Sequence, residues 1–328
     1  MNGILSIFFG LFILTNINAQ KPKVVSSASM IMDMTKNIAG DLVEHGLIVP
    51  IGGDPHIYDP TPRDAQLVSS ADQIFINGLT FEGWVLELIA NSGTKAFIDT
   101  VTNGITPIGS EIYKGSYDPH AWMDLSNALV YIKNIKNALI NLDPKNEHAY
   151  TKNHDVYRAK LIDLDNYIMN RIQEIPAGKR MLITSHDAFK YYGKRYGLQL
   201  EAIVGISTEA QAQTSDIIRI TKAIKESNVP AIFVESTINP KLIEQIASDN
   251  NVLIGGKLYA DSIGLENSEA PSYYDMLKHN TDVIVNALSQ EKISVLKPKK
   301  SSNSLLTYLI IGFVFLFGML LSVVKLNR

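Results

Sequence analysis

Cysteine is absent from the 328 residues, and three kinds of chemistry are absent with it. No disulfide, no thiolate metal site and no lipid-modified N-terminal cysteine is available. An excess of charge is missing as well: 30 Lys and Arg stand against 33 Asp and Glu, a formal net charge of −3 with both signs mixed along the chain. Nothing resembles a basic stripe for nucleic acid, and the lysines at 297, 299 and 300 read as part of a linker. The His-Glu-x-x-His motif of helical zinc hydrolases does not occur.

What is present begins at the two ends. Residues 4–14 are an apolar run, followed by polar residues and the small Ala19, after which Gln20, Lys21, Pro22 and Lys23 turn the chain polar. This pattern predicts a secretory signal peptide over residues 1–19, although its first segment carries no Lys or Arg. Residues 305–324 carry no charge and only three polar side chains. Twenty such residues make ~30 Å of helix, the thickness of a bilayer's hydrocarbon core, and predict a transmembrane anchor after a 291–304 linker. Lysines flank both sides, so only the upstream signal orients the span, with the body exported and Lys325–Arg328 inside.

The body alternates strand-like and helical segments, which predicts an α/β fold with parallel sheets flanked by helices. Strands are expected at 24–27, 47–51, 73–76 and 95–98, then at 180–184, 201–204, 231–234 and 251–254, with helices such as 81–91 and 240–250 between them. Val24-Val25-Ser26-Ser27 lies 158 residues before Leu182-Ile183-Thr184-Ser185, and the same offset relates residues 74–76 to 232–234. Two lobes follow, at 20–143 and 176–290. Between them Tyr150, His154, Tyr157, Leu161, Leu164, Ile168 and Ile172 recur at three- and four-residue steps. They predict one long rigid helix over 144–175, capped by Asp143 and opened by Pro144, as against two shorter helices with a turn near Asp163 or Asp165.

Four side chains in short turn-like clusters carry the chemistry. His56, His120, His186 and Asp261 are spaced 64, 66 and 75 residues apart. Three imidazoles and a carboxylate form a complete ligand set for a divalent transition metal. Ligands in open parallel sheets gather at the carboxyl ends of strands. His56 follows the expected 47–51 strand, His186 follows Thr184, Asp261 follows Ile254 at a longer distance, and His120 follows an irregular stretch from Pro107. Two ligands from each lobe place the site in a cleft. Pro55 and Pro119 restrict the backbone before their histidines. His45, His148, His154 and His279, in segments read as helical and charged, are expected to be structural, and Asp261 taken alone could equally cap the segment after it.

These motifs resemble one family. The stretches at 53–62, 118–124, 185–189 with Tyr196-Gly197, and 259–264 are similar to those of the metal-specific solute-binding proteins of ABC transporters, the zinc and manganese uptake receptors. So are 205–210, 235–241 and 272–280, in order, over roughly residues 22–290. The resemblance implies two α/β lobes joined by a rigid helix, with Zn2+ or Mn2+ held between them by His56, His120, His186 and Asp261. It implies delivery to a membrane permease driven by a cytoplasmic ATPase; the chain is expected to be a monomer, and the signal at its start places it outside the cytoplasm, in a periplasm or at a cell surface. Some relatives are also described as adhesins. The chain departs from the family twice: Gram-positive members are usually lipoproteins, and zinc-specific members often carry a long His-rich loop where 108–117 is short and has no His.

Two other functions fit the same ligands. A membrane-anchored zinc hydrolase would need His186-Asp187 or Glu209 as its acid or base, but four protein ligands close a tetrahedral site to the water that catalysis requires. A purely structural metal in an adhesive ectodomain would not exchange. For the receptor, release is expected through a modest opening of the segment bearing Asp261.

Overall fold

The computed structural model describes residues 20–109, 116–209, 211–227 and 229–290. The expected signal peptide, linker and anchor lie outside the described residues, among which no helix is long and apolar enough to cross a membrane. The chain divides after Lys292, and the described residues all belong to the unit that ends there.

Parallel strands with covering helices build the molecule. In the N-terminal half, β1 (Lys23–Ser26), β2 (Glu44–Leu47), β3 (Gln73–Ile76) and β4 (Phe97–Thr100) form one parallel sheet in the order β2-β1-β3-β4. In the C-terminal half β5 (Met181–Thr184) pairs with β6 (Gln199–Ala202), and β7 (Ala231–Glu235) with β8 (Leu253–Leu258), again parallel. Because β5 lies alongside β7, the second half repeats the strand order of the first. The starts of β1 and β5, and of β3 and β7, keep the 158-residue offset seen in the sequence.

Helix ends follow local chemistry. Helix α1 (Ser29–Ala39) comes directly off β1. Thr61 and Asp64 form a capping box for α2 (Pro62–Ser69), whose first residue is proline. Helix α3 (Val85–Ser92) stops at left-handed Gly93. Asp124 accepts the Ser126 N–H to start α4 (Leu125–Leu142). In the second half, α6 (Lys190–Tyr196) stops at left-handed Gly197, and α7 (Thr214–Ser227) and α8 (Lys241–Asn250) follow. Ser272 caps α9 (Tyr273–Leu288), while Asp33 of α1 accepts the Tyr273 N–H at 3.0 Å.

The long helix, α5, runs unbroken from Glu147 to Gln173, which excludes a turn at Asp163 or Asp165. At 27 residues it is ~40 Å long. Its buried residues are the seven of the predicted stripe, and they pack against α1, α4, α6 and α9. Each fully buried Leu or Ile in that stripe contributes about 1.5–3 kcal/mol. The start differs from expectation. Pro144–Asn146 is a separate 3-10 turn, and the Asp143 carboxylate binds Asn146 and the Tyr150 hydroxyl rather than the helix backbone. One apolar cluster includes Val24, Tyr131, Leu161, Leu182 and Ile284, so both halves share a core through this helix.

Further boundaries moved, including the strands expected at 95–98 and 201–204, which are Phe97–Thr100 and Gln199–Ala202. The second strand is Glu44–Leu47, not 47–51, because pairing of Val24 with His45 sets its register. As an edge strand it exposes Glu44 and lacks the apolar run that buried strands show. His45 therefore lies in a strand rather than a helix, its Nε2 2.9 Å from the Gly40 carbonyl. The last strand continues through Gly255 and Gly256, where the ladder with β7 slips register. A Cβ at Gly255 would come within 2.6 Å of the Phe233 ring, so glycine here lets the strands approach rather than ending one. Helix α3 begins at Val85 instead of Phe81, and residues 77–84 form an irregular loop.

Candidate metal centre

The structure brings His56, His120, His186 and Asp261 together. One ligand atom from each falls within 4.8 Å of all the others, and all four residues are buried. His186 and Asp261 lie just beyond the carboxyl ends of β5 and β8. His120 sits at the head of the 3-10 turn Ala121–Met123, and His56 in the loop before α2. His120 Nε2 is 3.2 Å from His56 Nε2 and 3.3 Å from Asp261 Oδ1, while His186 Nε2 is 3.2 Å from Asp261 Oδ2.

Both Asp-Pro-His stretches fold the same way. The Asp54 carboxylate accepts the His56 backbone N–H at 2.9 Å, and Asp118 accepts that of His120 at 2.9 Å. The aspartate two residues upstream thus orients the histidine backbone, adding to the restriction from proline. Asp118 also accepts from His120 Nδ1 at 2.8 Å, which fixes the ring with Nε2 facing the cluster. The second half solves the same problem through space. Glu235, at the end of β7, accepts the His186 N–H at 2.8 Å, and its other oxygen lies 2.6 Å from His186 Nδ1. That second approach is poorly aligned for a hydrogen bond, so it acts through charge.

Asp118 and Glu235 were not among the expected site residues. The repeated Asp-Pro-His was a local signal for Asp118. Glu235 opens one of the stretches that resemble the family, but at 49 residues from His186 nothing local tied it to that ring.

The electrostatics follow from burial and these carboxylates. Burial pushes the His56 imidazole down to about 3, with Asp261 partly resisting. For His120 burial works downward too, but Asp118 and Asp261 outweigh it and raise the ring to about 9. His186 is held well above its ordinary value against burial by Glu235 and Asp261. Asp261, despite burial, is held well below the usual carboxylate range by His186 and His120.

The donor set suits a divalent cation. Both Asp261 oxygens and His186 Nε2 are buried without an aligned hydrogen-bond partner. Each such group costs about 1–3 kcal/mol, and a cation bound to their lone pairs would offset it. A cavity of about 570 Å3 opens from His56 to the surface between Thr80, Tyr117 and Pro119 on one side and Asp187, Val204 and Ser207 on the other. The segment around Asp261 is firmly held. Ser262 Oγ accepts the Gly52 N–H at 2.7 Å and lies 3.1 Å from Ser29 Oγ, and the Trp122 indole donates to the Ala260 carbonyl at 3.1 Å. These bonds oppose the expected opening through that segment.

The other histidines stand apart from the cluster. His148 is exposed on α5, His154 is buried there beside Asp155, and His279 of α9 reaches the Lys257 carbonyl.

Comparison with known proteins gives a consistent result. Residues 24–287 match the family model described as zinc-uptake complex component A, periplasmic. A metal ABC transporter substrate-binding lipoprotein of Streptococcus parasanguinis, FimA, is 40% identical over 278 residues, covering 82% of this chain and 90% of that protein. A manganese ABC transporter substrate-binding lipoprotein of Streptococcus anginosus, PsaA, is 39% identical over 281 residues, covering 83% and 91%. Among solved structures, the periplasmic zinc binding protein TroA from Treponema pallidum superposes with a TM-score of 0.79 at 32% identity, over 82% of this chain and all of that one.

Proposed function

The chain belongs to the family of periplasmic zinc-uptake component A proteins, and from that membership we propose how it takes up its metal. It is a substrate-binding receptor of an ABC transporter, not an enzyme: it captures Zn2+ or Mn2+ outside the cytoplasm and passes it to a membrane permease served by an ATPase. His56, His120, His186 and Asp261 are the ligands. The reading is carried by one observation, the convergence of four buried donor atoms within 4.8 Å. Four protein ligands fill a tetrahedral shell and leave no position for an activated water, which disfavours the hydrolase.

Residues 20–143 and 176–290 act as two lobes with α5 as their spine, each lobe supplying two ligands. The ion enters and leaves past His56, through the cavity beside residues 204–207. Relatives such as FimA and PsaA are lipoproteins by name, whereas no cysteine is present here to carry the lipid. In its place the uncharged 305–324 stretch tethers the exported body to the membrane.

The test is Zn2+ and Mn2+ titration of the full-length chain in detergent, alone and in competition, for the parent, His120→Ala and His148→Ala. The parent and His148→Ala should bind alike, and His120→Ala should bind far more weakly. Equal titrations for all three would remove His120 from the shell. Hydrolysis of generic esters or peptides by the metal-loaded protein would favour the enzyme instead.

A further inference from the structure

Residues 77–84 join β3 to α3 by an unusual route. Gly78, Leu79 and Thr80 all have positive φ, at 77°, 53° and 68°. Two of the three carry side chains, and such conformations cost on the order of 1–3 kcal/mol each unless surrounding contacts impose them. Glycine is required at the first, since a Cβ at Gly78 would meet Thr100 Cγ2 at 2.6 Å.

Glu82 holds the loop in this shape. Its buried carboxylate accepts the N–H groups of Asn77 at 2.8 Å and Gly78 at 3.1 Å, together with the Ser27 hydroxyl. The two ends of the loop then reach the two histidine turns. The Asn77 side-chain amide donates to the carbonyl of Pro119, the residue before His120, at 3.0 Å. The Trp84 indole donates to the carbonyl of Pro55, the residue before His56, at 2.8 Å. Between them Phe81 places its ring edge-on to His56, 4.9 Å between centroids, and 6.1 Å from His120. The Asn77 amide is itself fixed, with Oδ1 accepting from the Tyr131 hydroxyl.

We propose that the 77–84 loop is a positioning element that sets the separation of His56 and His120, with Glu82 as its fastening residue. This rests on the assignment of those two imidazoles as metal ligands. Asn77 and Trp84 act through the proline carbonyls, Glu82 through the loop backbone that carries them, and Phe81 through the rings. The strained backbone keeps both carbonyl contacts in one rigid span, so loosening either end lets its imidazole swing away from the shared ion.

Trp84→Phe and Glu82→Gln test this in the full-length chain in detergent. The first keeps an aromatic ring at the position but removes the N–H donor together with the second ring of the indole, so the His56→Ala background is needed to isolate the effect on His56. The second keeps the shape and turns one acceptor oxygen into an NH2 facing backbone N–H groups. Zn2+ affinity is read by competition with a chromophoric chelator, and Co2+ serves as a spectroscopic probe of ligand geometry. Both variants should lose roughly tenfold or more in Zn2+ affinity, the scale of outer contacts that orient metal ligands. They should also alter the visible Co2+ spectrum. Because Trp84 acts only through Pro55 and His56, Trp84→Phe should change affinity by less than about twofold once His56→Ala is present. An unchanged Zn2+ affinity and Co2+ spectrum in Trp84→Phe would overturn the proposal, as would an undiminished penalty in the His56→Ala background. If His56→Ala alone left Zn2+ affinity unchanged, the ligand assignment beneath the proposal would be what fails.

Discussion

Metal uptake by this cluster should release about two protons per ion near neutral pH, an expectation that follows from its charges. In the metal-free protein His120 is held at about 9 and His186 well above its ordinary value by Asp118, Glu235 and Asp261, against the opposing effect of burial. Both rings must give up a proton before Nε2 can coordinate. His56, pushed down to about 3, is already neutral, and Asp261 is already ionised, so neither contributes. Affinity for Zn2+ should therefore fall about 100-fold, about 2.7 kcal/mol, for each pH unit between 8 and 6. Fold stability moves the other way. The raised His120 value stabilises the metal-free fold fully below the unfolded value near 6.5, and that contribution is lost as pH rises through about 9. The amount is on the order of 3 kcal/mol. Isothermal titration of Zn2+ at pH 7, in buffers of differing ionisation enthalpy, counts the released protons directly. Denaturant unfolding of metal-free protein at pH 6.5 and pH 9 reads the stability term. A proton count near zero, or an affinity flat between pH 6 and 8, would refute this account of the charges.

Two further outcomes are expected. Glu235→Gln should weaken Zn2+ binding about 10- to 100-fold, the range for contacts that support a metal-bound histidine, as read by chelator competition. The neutral amide would remove the negative charge beside His186 Nδ1 that supports the ring as a ligand through Nε2, the atom facing Asp261. Leu161→Ala, in the fully buried stripe of α5, should cost about 2–5 kcal/mol in urea unfolding, whereas Val156→Ala, more than half exposed on the same helix, should cost well under 1 kcal/mol.

Some features needed only neighbours in the chain. The third strand fell where its apolar residues placed it, and the seven-residue stripe of α5 was read residue for residue, because burial on one helix face writes itself at three- and four-residue steps. The four candidate ligands were legible because three of them sit in short turns beside proline or at a strand end. The two Asp-Pro-His turns owe their shape to a carboxylate two residues away. The edge strand was misread because pairing, rather than its own hydrophobicity, sets its limits, and α3 was begun too early because Phe81 and Glu82 serve the site instead of the helix.

Sequence alone therefore determined the alternating α/β pattern, the long helix α5 and the four candidate ligands that the fold brings together, all consequences of local periodicity and turn chemistry. Tertiary structure decided what acts on those residues: Glu235 beside His186, Asn77 and Trp84 on the two prolines, and Ser29 against Ser262. Such contacts join residues far apart in the chain, and Coulomb forces and hydrogen bonds depend on distance in space, which no spacing along the chain encodes.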